Sequence, residues 1–187
     1  MANDVVMEKH YIDSIRECGA SMRKLARTTY VGFILCDYSV YKQSEQAGSI
    51  EVGKRVHKNA WLRHVPWVIK DGRESFHLWE VKDIPTAGRF IKLMYDRISC
   101  PLFVKEDTAE RWVGIVQMCP IVEFSMALLN EKLGCPYHQS LAEVLTAVNK
   151  EIVNQLGLGD EIEVICDKFI CLGDAHDQII LQRKKQN

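Results

Sequence analysis

Residues 161–183 read EIEVICDKFICLGDAHDQIILQR. Two apolar runs, predicted as strands over 161–172 and 178–183, flank the dipeptide Gly173-Asp174, whose residue types are typical of tight turns. Such a turn reverses the chain and pairs its two strands, so the segment is predicted to be a β-hairpin. Antiparallel pairing at the C-terminus, after a run of helices and mixed elements, favours an α+β fold over a doubly wound parallel sheet. The expected architecture is N-terminal helices followed by an antiparallel sheet, with the C-terminal β-hairpin packed on helices.

Helical and extended patterns alternate upstream of this hairpin. Apolar residues recur at spacings of three and four over residues 5–29, which predicts a helix. Strands are predicted over residues 75–81, 102–104 and 111–118, where apolar and β-branched residues cluster. This mixture of helical and strand periodicities agrees with the α+β class.

Capping residues mark three predicted helix starts. Thr86 is predicted to cap the first of these helices. Pro120 suits the first position of the second, which is predicted to run to Gly134. Ser140 begins a capping box that opens the third, and Gly157 ends it.

Composition limits the kind of protein. The chain has 187 residues, 47% hydrophobic and 26% charged, with a net charge of -1. These values predict a single domain over 1–187, with a mostly helical part over 1–70 and an α+β part over 71–187. The near-zero charge argues against a nucleic-acid partner, and no apolar run reaches the roughly 18 residues of a membrane span. Seven scattered cysteines and a polar N-terminus predict free thiols and a cytoplasmic location.

Residues 166–177, CDKFICLGDAHD, concentrate residues with metal-binding and acid–base chemistry. Cys171, His176 and Asp177 are predicted to bind a divalent transition metal, zinc or iron, across the hairpin tip. Asp174 is a candidate catalytic carboxylate. No strong zinc spacing such as CxxC is present, so the alternative is a hairpin with a buried cysteine and a turn-forming aspartate.

A second cluster combines a cysteine and a histidine at two helix starts. Cys119 precedes Pro120, and the positive end of a helix dipole there favours the thiolate that a nucleophile needs. His138 follows Cys135-Pro136 and is a candidate to relay a proton. The alternatives are a buried small residue at Cys119 and a solvated or capping histidine at His138.

Two further regions are interpreted as core. Residues 57–79 contain three histidines and three tryptophans, which form either core packing or the lining of an apolar ligand pocket. Cys36-Asp37 follows an apolar run and is interpreted as core followed by a turn.

The residues around Cys119-Pro120, the helix beginning at Ser140 and the hairpin ICLGDAHDQII over 170–180 carry a family resemblance. Over about residues 110–182 the chain resembles the L-2-amino-thiazoline-4-carboxylic acid hydrolase-like family. More distantly it resembles the 4-vinyl reductase-type small-molecule-binding domains. In both, a cysteine-containing segment precedes helices and a final strand enters a Gly-Asp turn. Such domains often carry cysteine where this chain has Asp177, which can bind a metal but cannot perform thiol chemistry.

The resemblance implies two functions. The first is a hydrolase that opens a C–N bond of a small heterocyclic or amino-acid-like substrate. Either a metal held by cysteine, histidine and aspartate activates water, or Cys119 attacks while His138 relays the proton. The alternative function is a sensor domain that binds a small molecule or a metal without catalysis. Self-association as a homo-oligomeric scaffold is a third reading of the same chain.

Overall fold

The computed structural model of the protein describes residues 32–76, 83–98 and 100–185. The chain divides into two compact units, residues 1–36 and residues 37–187. Every contact described below lies within the second unit. Most of the first unit lies outside the described ranges, and with it the helix predicted near the N-terminus, so the single-domain expectation stays a prediction.

The described part before the sheet is helical. Residues 32–47 form helix α1, which includes Asp37, so the turn predicted at that residue is wrong. The other helices carry one buried face each and are α2 (Ile50–Leu62), α3 (Val65–Phe76), α4 (Ile84–Arg97), α5 (Pro120–Leu129) and α6 (Pro136–Gln155). Within the described ranges, none of the helices combines the length and the apolar character needed to cross a lipid bilayer.

Four strands form one antiparallel sheet in the order β1-β2-β4-β3. They are β1 (Leu102–Asp107), β2 (Arg111–Val116), β3 (Ile162–Lys168) and β4 (Asp177–Arg183). A single 3₁₀ turn, Ile170–Leu172, lies in the connection from β3 to β4, and Gly173 closes it with a left-handed φ of 105°. The predicted α+β class and the C-terminal hairpin are therefore confirmed.

One face of the sheet is covered by helices. Trp112 lies opposite Leu181, and Gly114 lies opposite Ile179, so these four residues share a face. Trp112, Ile179 and Leu181 are almost fully buried there. The indole of Trp112 packs against Gly88, which places α4 on this face, and α6 contacts β3. Apolar burial on this face is the main driving force for joining the helices to the sheet.

The start of α5 follows the sequence prediction, but its end does not. Pro120 occupies the first turn and Cys119 is the N-cap. The helix ends at Leu129 because Asn130 adopts a left-handed conformation with a φ of 53°. The predicted end at Gly134 is therefore wrong by more than one helical turn.

Helix α6 begins at Pro136, four residues before the predicted start. Its N-cap is Cys135, whose Sγ accepts a hydrogen bond from the backbone N–H of His138 at 3.5 Å. Ser140 lies inside the helix with its side chain fully buried. The capping-box prediction at Ser140 is wrong because the proline at the first helical position sets the helix start earlier.

Two predictions near α4 also need correction. Asp83, not Thr86, is the N-cap, because the Asp83 carboxylate accepts a hydrogen bond from the Thr86 backbone N–H at 2.7 Å. The first two residues of the strand predicted over 75–81 belong to helix α3. The remainder of that predicted strand lies outside the described residues.

Candidate functional site

The strand order brings the predicted site residues to one end of the sheet. Cys100 precedes β1, Cys119 follows β2, Cys171 follows β3 and Asp177 begins β4. All four side chains are almost completely buried. The backbone N–H of Gly134 donates to the Cys171 carbonyl at 2.8 Å, which ties the α5–α6 loop to the hairpin connection. The two clusters singled out in the sequence therefore meet in space.

Cys119 contacts another thiol. Its Sγ lies 3.7 Å from the Sγ of Cys100. This contact and burial hold the pKa of Cys100 well above its ordinary value. Among the residues that the structure describes, His138 hydrogen-bonds Ser125 and makes no hydrogen bond to Cys119. The predicted transfer of a proton from Cys119 to His138 has no hydrogen-bonded path in this conformation.

His138 and Ser125 form a fully buried pair. The Nε2 atom of His138 lies 2.7 Å from Ser125 Oγ, which also donates to the Val122 carbonyl at 2.8 Å. Burial lowers the pKa of His138, opposed by the Lys132 backbone and the Glu131 charge. The imidazole is therefore neutral near pH 7.

The two aspartates near the hairpin connection accept hydrogen bonds from backbone amides. Asp174 is exposed, and its Oδ2 accepts from the Phe169 N–H at 2.8 Å. Asp177 is buried, and its Oδ1 accepts from the Ile170 N–H at 2.6 Å. Both carboxylates therefore shape the turn between β3 and β4. The catalytic role predicted for Asp174 stays a prediction.

The three predicted metal ligands lie in different environments. Cys171 is buried, and burial together with the Asp177 charge holds the pKa of its thiol far above the ordinary value. His176 is half-buried next to Asp177 in the chain. Within residues 32–76, 83–98 and 100–185, no group of three or more His, Cys, Asp or Glu side chains is arranged to hold a metal ion. The zinc or iron site remains a prediction without a matching ligand cluster.

We expect Asp177→Asn to change how stability depends on pH. Burial raises the pKa of Asp177 to about 6, with Asp174 adding to the rise and the Ile170 N–H and His176 opposing it. An unfolded aspartate titrates near 3.9, so the stability associated with the protonated native carboxyl is complete below about pH 4 and is lost as pH rises through about 6. The loss amounts to about 3 kcal/mol.

Urea unfolding between about pH 4 and pH 7 measures this effect. The free energy of unfolding of Asp177→Asn, taken relative to the wild type, should rise across this interval and then level off. Asparagine retains an oxygen for the Ile170 N–H, so the local hydrogen bond survives. A difference that stays constant with pH would contradict the raised pKa.

A second buried polar cluster joins α1, α2 and α6. His57 Nδ1 lies 2.8 Å from Ser140 Oγ, and His57 Nε2 lies 3.0 Å from Asp37 Oδ1. Trp61 Nε1–H donates to Asp37 Oδ1 at 2.6 Å, and the Tyr137 hydroxyl donates to Asp37 Oδ2 at 2.7 Å. All five side chains are buried. The Asp37 carboxylate is thus the common acceptor of three donors.

The order of hydrogen bonds in this cluster matches that of a serine nucleophile with its base and orienting acid. Because a carboxylate only accepts hydrogen bonds, Nε2 donates to Asp37, and Nδ1 lies next to the Ser140 hydroxyl. Tyr137 stacks on the imidazole with centroids 5.6 Å apart. Ser140 has no exposed surface, so in this conformation the cluster holds the helices together.

Sequence reasoning missed this cluster, although one signal was present. Gly53, His57 and Trp61 are the buried residues of α2 and recur at a spacing of four. A histidine in the middle of a buried helical stripe needs hydrogen-bond partners, because an unpaired buried polar group is costly. That spacing predicts a buried partner for His57 without naming it.

A pocket of about 370 Å³ opens beside this cluster, between α2, α6 and the start of the hairpin connection. It lies along the α2–α6 contact that also contains His57 and Ser140. The residues that line it are Lys58, Ala142, Glu143, Thr146, Ala147, Lys150 and Phe169.

Another pocket, of about 490 Å³, lies between α3 and the end of α6. One of its cations, Lys70, pairs with Glu74 at 3.9 Å and lies 5.6 Å from the centre of the Trp67 ring.

No protein family matches the chain, and no curated protein matches it. A structural match exists to trafficking protein particle complex subunit 3 from Naegleria fowleri, which was crystallised covalently bound to palmitic acid. The TM-score is 0.54 at 15% sequence identity, over 85% of this chain and 97% of that chain. At this identity the match establishes a shared fold. The resemblance to the hydrolase-like and 4-vinyl reductase-type families stays a prediction.

Proposed function

We propose that this chain is a domain that binds a small molecule in the pocket between α2 and α6. The observation that carries the proposal is the pocket itself, whose volume of about 370 Å³ suits a small ligand. Its lining combines an apolar base with charged and hydroxyl groups, the mixture that orients a ligand. The trafficking subunit of similar fold is covalently bound to palmitic acid, which gives a precedent for a ligand on this arrangement of helices and sheet.

Burial of the candidate catalytic groups favours binding over catalysis. Cys119, Ser125, His138 and Ser140 are at most 3% exposed, and each hydrogen-bonds or contacts another buried side chain. A nucleophile must reach its substrate, whereas a ligand-binding pocket needs no reactive group at its base. The described cysteines are all free thiols, which supports the further proposal of a reducing, cytoplasmic environment.

Filling the pocket tests the proposed binding function. A library of small metabolites is screened by thermal shift against the wild type, Ala147→Phe and Ala127→Phe. Ala147 lines the pocket, while Ala127 is exposed on α5 and serves as the matched control. Compounds that stabilise the wild type should stabilise Ala127→Phe equally and lose their effect on Ala147→Phe. Equal stabilisation of Ala147→Phe, or no stabilising compound at all, would overturn the proposal.

The second candidate function is hydrolysis with Ser140 as nucleophile, favoured by the Asp37–His57–Ser140 hydrogen bonds. In this mechanism His57 Nδ1 takes the Ser140 proton while Oγ attacks the substrate carbon, the ring C–N bond breaks and the leaving nitrogen takes that proton. Water then attacks the same carbon and displaces Ser140 Oγ, so the product has gained one water. The assay is ring opening of L-2-amino-thiazoline-4-carboxylic acid, detected by mass spectrometry as the gain of one water. Catalysis predicts turnover that Ser140→Ala abolishes and Ser125→Ala retains. The absence of turnover by the wild type would favour the binding function.

A further inference from the structure

We propose that the ligand of the pocket between α2 and α6 is a small carboxylate with a short apolar body, whose charge is held by Lys58 and Lys150. This inference rests on the proposed binding function and adds the class of ligand and the residues that select it.

The charged side chains that line the pocket differ in whether they form an ion pair with another residue. Glu143 is engaged by Lys54 across the two helices at an N–O distance of 2.8 Å. Lys58 and Lys150 have no carboxylate within 4.0 Å among the residues that the structure describes. Two ammonium groups beside one pocket repel each other and attract anions from solution. A bound anion relieves that repulsion, and an uncharged ligand does not.

The remaining lining favours a carboxylate with an organic body over a bare inorganic anion. Ala142, Ala147 and Phe169 supply apolar surface, and Thr146 supplies a hydroxyl. The Thr146 hydroxyl already donates its proton to the Ala142 carbonyl at 2.9 Å, so the two lysines supply the donors for a ligand carboxylate. Burial of an apolar ligand body against the alanines and the phenylalanine adds favourable binding free energy in proportion to the area removed from water. A small anion such as phosphate gains no such contribution.

Cys166 reports on occupancy of the pocket. Its half-buried thiol interacts with two residues that line the pocket, Thr146 and Lys150. Burial raises the pKa of Cys166, and Asn149, Thr146 and the Lys150 charge oppose that rise. Asn149 Nδ2 also contacts its Sγ at 3.6 Å. An anion bound at Lys150 weakens the effect of that charge, which lowers the thiolate fraction and slows alkylation of Cys166, because the thiolate is the reactive form.

Alkylation rates with benzoate or benzamide as probe test the inference. The two probes have nearly the same shape and differ in charge. Iodoacetamide labelling of the full chain is followed by peptide mass spectrometry, with Cys135 as an internal reference that does not line the pocket. Benzoate should slow the labelling of Cys166 with a saturable dependence on concentration and leave Cys135 unchanged. Benzamide should have at least tenfold weaker effect.

Lysine variants test whether protection of Cys166 by benzoate depends on the two pocket lysines. Replacement of both pocket lysines, Lys58→Gln with Lys150→Gln, should weaken the benzoate effect at least tenfold. Lys105→Gln, which removes an exposed lysine on β1, should leave it unchanged. The inference is overturned if benzoate protects no better than benzamide, or if the double variant retains full protection. A neutral compound that binds in the Ala147-dependent screen would sustain the proposed function and overturn the carboxylate inference, so the two failures are distinguishable.

Discussion

Asp37→Ala should lower the free energy of unfolding by about 3–5 kcal/mol, the range for removing one partner from a buried charged network. Asp37 accepts hydrogen bonds from Trp61, Tyr137 and His57 at 2.6, 2.7 and 3.0 Å. Alanine removes the acceptor that these three donors share, and an unsatisfied buried donor costs about 1–3 kcal/mol. Relaxation of the helices and entry of water keep the total loss of unfolding free energy below the sum of the three separate costs.

Urea unfolding followed by circular dichroism measures this loss. Glu143→Gln is the matched control, because it removes the Lys54–Glu143 ion pair between α2 and α6, two of the three helices that the Asp37 network joins. Glu143 is half exposed in that pair, so its removal should cost at most about 1 kcal/mol. A loss for Asp37→Ala as small as that of Glu143→Gln would show that the buried network contributes little to stability. Asp37→Asn keeps one acceptor oxygen and should fall between the two.

Trp112→Ala should lower the free energy of unfolding by a similar amount, about 3–5 kcal/mol, because it leaves a cavity under α4. The indole is 1% exposed on the helix-covered face of the sheet. Two glycines make room for it. A Cβ atom at Gly88 would lie 2.4 Å from the indole Nε1, and one at Gly114 would lie 2.5 Å from Cη2. Neither glycine has a positive φ, so close packing against the indole accounts for both.

A double-mutant cycle separates packing from helix propensity. Gly88→Ala alone should destabilise the protein by about 1–3 kcal/mol, because the added methyl group overpacks the indole. In the Trp112→Ala background the same change should be neutral or stabilising, by up to about 1 kcal/mol, because alanine is the better helix former. Urea unfolding of the four proteins gives the interaction free energy. Additive effects would show that Gly88 and Trp112 do not constrain each other.

Local patterns predicted the elements whose signals are contained in a few neighbouring residues. The C-terminal hairpin, the strands near residues 102 and 111 and the start of α5 at Pro120 are present as expected. The predicted end of the first hairpin strand at Leu172 is wrong, because β3 ends at Lys168 and a 3₁₀ turn follows before Gly173. The errors occur where two local signals compete. The capping-box pattern at Ser140 predicted a helix start, but the helix begins at Pro136. Thr86 was predicted as an N-cap, but the aspartate three residues before it is the N-cap.

The candidate site depended on long-range placement. Sequence reasoning chose Cys119 and His138 as a reacting pair, yet the structure places Cys119 against Cys100 and His138 against Ser125. Side-chain pairs between separate elements depend on the direction in which each helix face points. The prediction made Ser140 the cap of α6 and so placed it outside the helix, whereas the helix begins at Pro136 and Ser140 lies on its buried face.

The amino-acid sequence by itself determined the α+β class, because turn chemistry and periodicity act between near neighbours in the chain. Only the tertiary structure decided which reactive side chains meet. The strand order β1-β2-β4-β3 gathers Cys100, Cys119, Cys171 and Asp177 at one end of the sheet. The packing of α2 against α6 buries His57 on Ser140 and opens the pocket beside Lys58. These contacts join residues that are far apart in the chain. They form because burying surface between distant elements is favourable, and a pattern of neighbouring residues contains no information about that burial.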